Sequence, residues 1–128
     1  MRWLLGVVTG FVIWTVLFLA GNAWVARAIP GATDTDGVIV SATALGSIVA
    51  LTGAYSVLAG AVASRLSGAY GRRAALVLGG LLLVVGAVVQ SGYWEKLPLW
   101  YHLSFLALLV PASWAGHIIV SQLRTRRP

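Results

Sequence analysis

Charged residues divide the chain into four long apolar runs. The runs contain 24, 28, 21 and 27 residues without Asp, Glu, Lys or Arg, and they cover residues 3–26, 37–64, 74–94 and 97–123. A membrane-spanning helix requires about 20 mostly apolar residues at roughly 1.5 Å rise each, so each run can cross a bilayer once and none can cross twice. The pattern predicts an all-α polytopic membrane protein with a single domain over residues 1–128. The expected helices cover 4–27, 38–63, 74–93 and 98–122.

Composition supports this prediction and excludes several classes of protein. Hydrophobic residues make up 59% of the 128 positions and charged residues only 9%, whereas soluble domains carry about 25% charged residues. The absence of cysteine excludes disulfides, thiolate metal sites and cysteine nucleophiles. Because the basic residues stand only at the ends of the apolar runs, nucleic acid is not an expected partner. We expect no enzyme, since no nucleophile–base pair or metal-ligand set can be assembled.

The basic residues fall mainly on one side of a four-span protein. Only Arg27 and Lys96, together with all three acids, belong to the other side. The positive-inside rule therefore predicts that both termini are cytoplasmic and that successive helices are antiparallel. The arginines Arg65, Arg72, Arg73, Arg124, Arg126 and Arg127 are expected to anchor the inner face to anionic lipid.

Small residues recur on each predicted helix. Membrane helices associate through close contact at such positions. We interpret them as helix-packing residues, either within the chain or, most favourably on helix 2, towards another subunit. They are Gly6, Gly10, Gly46, Ala50, Gly53, Gly60, Gly79, Gly86, Ala112 and Gly116.

Polar residues inside the spans suggest a second hypothesis. Asn22, Ser47, Thr52 and Ser56 would line a narrow polar path in a channel or transporter, although hydroxyls equally bond their own helix. No charged residue lies within a span. Small multidrug transporters have a similar length but use a glutamate in the first helix, and residues 4–26 contain no acid.

Two histidines stand 15 residues apart on helix 4, roughly 22 Å along its axis, so they cannot share a metal. His102 is expected in an aromatic belt beside Trp100 and Tyr101. His117 is expected within the hydrocarbon layer, where it would bond to another helix. With Ser113 four residues earlier, it also resembles the pigment-ligating pattern of light-harvesting polypeptides, which implies axial ligation of a tetrapyrrole. No other cofactor is predicted, and lipid is an expected partner.

The first loop carries the segment Thr33-Asp34-Thr35-Asp36-Gly37. We expect Asp36 to cap the N-terminus of helix 2, where the helix dipole favours a carboxylate.

Two short motifs resemble small uncharacterised four-helix proteins of the bacterial inner membrane. One is Gly-Phe-Val-x-Trp at residues 10–14, and the other is Leu-Trp-Tyr-His at residues 99–102. The resemblance implies a multi-pass protein of the cytoplasmic membrane and implies no activity.

Three functions are compatible with the sequence. The first is a non-catalytic accessory subunit that packs against other transmembrane helices or copies of itself. The second is a homo-oligomeric channel or transporter for a small solute. The third is a pigment- or haem-binding membrane subunit that uses His117.

Overall fold

The computed structural model describes residues 2–125 and is built from four α-helices. A short 3-10 helix, Gly68–Tyr70, leads directly into the third of them. Within the described residues there is no β-strand, only an isolated bridge between Thr33 and Ile39. All four helices are long and apolar enough to cross a membrane. The prediction of an all-α, four-helix chain is confirmed. The helices are α1 (Arg2–Ala28), α2 (Ala42–Leu66), α3 (Gly71–Ser91) and α4 (Leu99–Thr125).

Successive helices run antiparallel. Arg2 at the start of α1 donates a hydrogen bond to the carbonyl of Leu66 at the end of α2. Gly86 near the end of α3 lies beside Phe105 near the start of α4. One end of the bundle therefore carries Arg2 and the C-terminus of α4, and we call it the terminal end. The opposite end, with residues 29–41 and 92–98, is called the loop end.

The two ends differ in charge as the sequence predicts. The terminal end holds Arg65, Arg72, Arg73 and Arg124, besides Arg2. The predicted anchors Arg126 and Arg127 lie outside the described residues. All three acids belong to the loop end, with Arg27 and Lys96.

Helix α2 begins four residues later than predicted. The Asp34 carboxylate accepts hydrogen bonds of 2.9 Å from the backbone N–H groups of Asp36 and Val38, and Gly37 adopts φ +80°, so the segment turns back on itself. The helix starts only after Ser41, whose hydroxyl accepts from the N–H of Ala44 at 3.4 Å. The expected cap at Asp36 is wrong, because the hairpin turn uses this residue and Ser41 takes the cap position.

In the terminal half of the bundle, glycines bring helix backbones into direct contact. A methyl group added to Gly6 would lie 2.6 Å from the carbonyl oxygen of Ala63, and one on Gly10 would lie 2.9 Å from that of Ala59. On Gly60 or Gly116, the added carbon would overlap the facing backbone of α4 or α2. These glycines lie in close contacts between helices, as the sequence predicts. Helix α2 packs against α1 on one side and against α4 on the other.

Larger side chains separate the helices in the loop half. Trp14 stacks on Phe18 with ring centroids 4.8 Å apart, and both rings meet the edge of Phe105. The indole N–H of Trp14 donates to the hydroxyl of Ser56 at 3.1 Å, which ties α1 to α2. Side chains, and not backbones in direct contact, thus fill the space between the helices here.

The remaining predicted packing residues divide into two groups. Gly79, Gly86 and Ala112 are buried, and a carbon added to either glycine would lie 3.1 or 3.2 Å from α4, closer than an ordinary van der Waals contact. By contrast, a carbon added to Gly46 would meet no atom within 4 Å, and Ala50 is exposed. A carbon added to Gly53 would make an ordinary van der Waals contact with the side chain of Leu108, at 3.8 Å. Within a single chain, the loop half of α2 therefore presents an uncovered face of small residues.

Candidate functional site

Two arginines at the terminal end bind the C-terminus of α2. The last carbonyl groups of a helix have no partner within the helix. Arg124 donates to the carbonyls of Arg65 and Gly68, both at 3.1 Å, and Arg2 donates to that of Leu66 at 3.0 Å. The positive guanidinium groups also complement the negative end of the helix dipole. Arg124, predicted as a lipid anchor, thus has a structural contact as well.

Arg72 and Arg73 lie over aromatic rings at the start of α3. The Arg72 guanidinium is 5.3 Å from the Trp114 ring centre, and that of Arg73 is 5.9 Å from the ring of Trp3. Such cation–π contacts hold the charged groups beside apolar rings. Both arginines are exposed, so they remain accessible to lipid headgroups.

His117 lies between α2 and α4 just inside this end. Its Nδ1 is 2.8 Å from the hydroxyl of Ser64, and its ring packs at a tilt against Trp114 with centroids 5.4 Å apart. The hydrogen bond to another helix is therefore present, as one of the two interpretations of His117 predicts.

The space expected beside His117 for a tetrapyrrole is occupied by protein. Ser113 is fully buried, donates to the carbonyl of Leu109 in its own helix, and packs against the backbone of Gly60. A small residue that makes room for a flat macrocycle would instead border open space. The geometry gives no support to axial ligation, which stays a prediction. Among residues 2–125, no three His, Asp or Glu side chains come together to hold a metal.

His102 is fully buried at the loop end rather than placed at the surface. The Nδ1 atom of the imidazole lies 2.8 Å from Oε1 of Gln90 on α3, and its Nε2 lies 3.3 Å from the carbonyl oxygen of Trp94. The imidazole ring also stacks on the Trp94 indole, with ring centroids 4.4 Å apart. The imidazole thus lies among aromatic rings, Trp94 and Tyr101, as expected, but α3 and the following turn cover it. Sequence reasoning missed Gln90, whose only signal was a polar residue at the end of an apolar run.

Gln90 is left with an unpaired polar atom. The residue is only 5% exposed and its Nε2 has no hydrogen-bond partner. A neutral imidazole has one N–H, so reversing the amide would let His102 donate to Trp94 and accept from Gln90. That reversal would leave Oε1 unpaired instead. In either orientation, one buried amide atom lacks a partner.

A cavity of about 490 Å³ lies in the loop half, between the four helices and the first loop. Its wall is mainly aromatic and aliphatic and includes Trp14, Phe18 and Phe105. Polar lining residues are concentrated towards the loop end, namely Asn22, Asp36, Gln90 and Tyr93.

The predicted polar path does not form within one chain. Ser56 accepts from the Trp14 indole, and Ser47 donates to the carbonyl of Thr43 in its own helix. Thr52 is fully buried without a partner for its hydroxyl, whereas Asn22 lies on the cavity wall. A channel would have to form between copies of the chain, and this stays a prediction.

Comparison with known proteins found no matching family model, no matching curated protein and no matching solved structure.

Proposed function

We propose that the chain is a multi-pass protein of a bacterial cytoplasmic membrane and that both termini face the cytoplasm. The proposal is supported by the outward surface of the bundle. In the most apolar 18-residue window of each helix, only 22–39% of residues are buried inside the chain. The other residues of these windows are at least partly exposed, and so large an apolar surface is stable in lipid and not in water. The concentration of arginine at the terminal end supports the orientation.

Accessibility of single cysteines tests this orientation, since the natural chain has no cysteine to remove. Thr35→Cys places a thiol in the exposed first loop, and Gln122→Cys places one at the exposed terminal end. A membrane-impermeant maleimide added to spheroplasts should label the first variant at once and the second only after permeabilisation. The reverse order, or equal labelling of both, would overturn the orientation.

Within the membrane, the chain acts as a non-catalytic accessory subunit that packs against partner helices. The observation that carries this function is the uncovered face of Gly46 and Ala50 on α2. In the terminal half of the same helix, Gly60 is covered by the backbone of α4. The same kind of residue is thus used for close packing at one end and left open at the other. Large apolar side chains contact lipid as favourably as protein, so they do not hold membrane helices together. Small residues do, because they let the backbone of a neighbouring helix approach closely.

Photo-crosslinking from the α2 face tests the accessory role. Ala50→Cys carries a benzophenone maleimide on this face. Ala20→Cys is the matched control, because Ala20 is also an exposed alanine. Ala20 lies eight residues from the loop end of α1, and Ala50 lies eight residues from the loop end of α2. After irradiation of native membranes, Ala50→Cys should give one discrete protein adduct, identified by mass spectrometry, and Ala20→Cys should give mainly lipid adducts. Lipid adducts alone at both positions would overturn the proposal.

Gly46→Leu provides a second readout. The added side chain meets no atom of its own chain at its Cβ, so folding should be preserved. It would block close approach of a partner, and the Ala50→Cys adduct should disappear in the double variant. Persistence of the adduct would mean that the partner does not use this face. An adduct between two copies would support self-association through the same face.

A further inference from the structure

The cavity in the loop half is large enough for a ligand and has the lining of a small-molecule site. Its volume of about 490 Å³ falls within the range of roughly 300–1,000 Å³ that is typical of such sites. The deep part of the wall is formed by Trp14, which is 4% exposed, and Phe105, which is 2% exposed. Because these rings are apolar, the deep part of the cavity favours an apolar group of a ligand.

Exposed lining residues indicate that the cavity opens sideways between α1 and α3. Leu19 on α1 and Val89 on α3 both line it, and they are 64% and 49% exposed. The two helices meet nearer the terminal end, where Gly10 faces Leu78. If the bundle spans a membrane, as the proposed function requires, this opening faces the hydrocarbon layer, and an occupant can enter from the lipid.

The polarity of the wall changes along the bundle axis. Asn22, Asp36 and Gln90 stand towards the loop end, and the aromatic rings lie deeper. On α1, the eight residues from Trp14 to Asn22 span roughly 12 Å. The wall thus matches a molecule with an apolar chain and a polar head, oriented with its head at the loop end.

Gln90 marks the place of the head group. A buried amide atom without a partner is unfavourable, and more so in a medium without water. A hydroxyl or carbonyl oxygen on a ligand would accept from the amide Nε2, and a hydroxyl could also donate to its Oε1. In the structure, protein atoms cover Nε2, so the Gln90 side chain must turn slightly towards the cavity to make this bond.

The charge of the lining excludes an anionic head. Asp36 is the one charged residue among those that line the cavity, and neither lysine nor arginine is among them. A phosphate or carboxylate would find no cation and would be repelled by Asp36. We propose that the cavity binds a single-chain lipid with an uncharged head that carries hydroxyl or carbonyl oxygen.

Photolabelling of the reconstituted protein tests the proposal. The probe is a monoacylglycerol with a diazirine in its acyl chain, mixed into phosphatidylcholine vesicles. We expect saturable labelling of the buried residues Trp14 and Phe105, which lipid on the outer surface cannot reach. Unlabelled monooleoylglycerol should compete, and ionised oleate should compete markedly less. Labelling confined to outward residues such as Val12, or equal competition by oleate, would overturn the proposal.

Matched variants at the opening localise the site. Val89→Trp narrows the entrance, whereas Val88→Trp alters the neighbouring residue, which is 68% exposed and does not line the cavity. Only Val89→Trp should reduce labelling of Trp14, and equal labelling in both variants would refute the assignment.

A third variant tests the head-group contact. Gln90→Met should lower the preference for monooleoylglycerol over oleate by up to about tenfold, the factor that corresponds to a hydrogen bond of about 1.4 kcal/mol. An unchanged preference in the folded variant would remove Gln90 from the site.

Vesicle flotation distinguishes failure of the proposed membrane location from failure of the cavity site. A protein that does not float with the lipid refutes membrane insertion, whereas a protein that floats but is not labelled at Trp14 and Phe105 refutes the cavity site.

Discussion

Gly116→Ala tests whether direct backbone contact holds α2 and α4 together. The added methyl carbon would lie 2.5 Å from the backbone nitrogen of Ala61 and would overlap the carbonyl oxygen of Val57. Real methyl contacts are essentially never shorter than 3.0 Å. Because the obstructing atoms belong to the backbone, no side-chain rotation relieves the overlap. The helices must separate, which also loosens the contact of Gly60 with α4.

The expected magnitude follows from two opposing effects. Alanine favours a helix over glycine by about 1 kcal/mol, whereas overpacking of a tight contact costs about 1–3 kcal/mol or more. Gly116→Ala should therefore lower the free energy of unfolding by about 1–2 kcal/mol, at the upper part of that range. Gly80→Ala is the matched control, since its methyl group would meet nothing within 4 Å. It should raise the free energy of unfolding by about 0.5–1 kcal/mol.

Unfolding by sodium dodecyl sulfate in mixed micelles, followed by far-UV circular dichroism, measures both variants. The same chemical change should shift the transition in opposite directions. The two equilibrium constants should differ roughly 10- to 150-fold, corresponding to about 1.5–3 kcal/mol. If Gly116→Ala is as stable as Gly80→Ala, the helices do not depend on this backbone contact and the reasoning is refuted.

Three polar contacts are expected to contribute different amounts in the same unfolding assay. Trp14→Phe and Ser56→Ala each remove one buried hydrogen bond and should destabilise by about 1 kcal/mol, and the double variant should lose little more; full additivity would contradict the pairing. His102→Phe leaves the amide of Gln90 wholly unpaired and should cost about 1–3 kcal/mol, much of which Gln90→Leu should restore; no recovery would refute their coupling. Arg124→Gln should lower stability by about 1 kcal/mol, and Arg124→Lys should recover only part of it, because an ammonium lacks the planar fork that reaches two carbonyls. Equal stability of the lysine variant and the natural chain would argue against the fork.

The helices and the charge difference between the two ends could be predicted because both depend on local composition. The start of α2 could not be predicted from the spacing of charges alone, since residues 37–41 are uncharged but not helical. A signal for the correct boundary does exist: Val38, Ile39 and Val40 are β-branched and favour extended backbone, and Ser41 is a strong cap residue. The length of an uncharged run does not register these local preferences.

The candidate site depends on tertiary structure and was largely missed. His102 and Gln90 stand 12 residues apart on different helices, and nothing in either helix alone indicates that they pair. The contacts of Arg124 with the end of α2 were missed for the same reason, because they join residues more than 50 positions apart. The cavity is less predictable still, since its existence depends on where the helices separate.

The distribution of small residues explains where that separation occurs. In the terminal half, Gly6, Gly10, Gly60 and Gly116 all bring one backbone against another. In the loop half, a carbon added to Gly86 would meet only side chains of α4, and aromatic rings hold the helices apart. Glycine contacts thus close the bundle at the terminal end, and the cavity lies at the other end, among the aromatic rings. The same residue pattern therefore accounts both for the close packing of the terminal half and for the place of the cavity in the loop half.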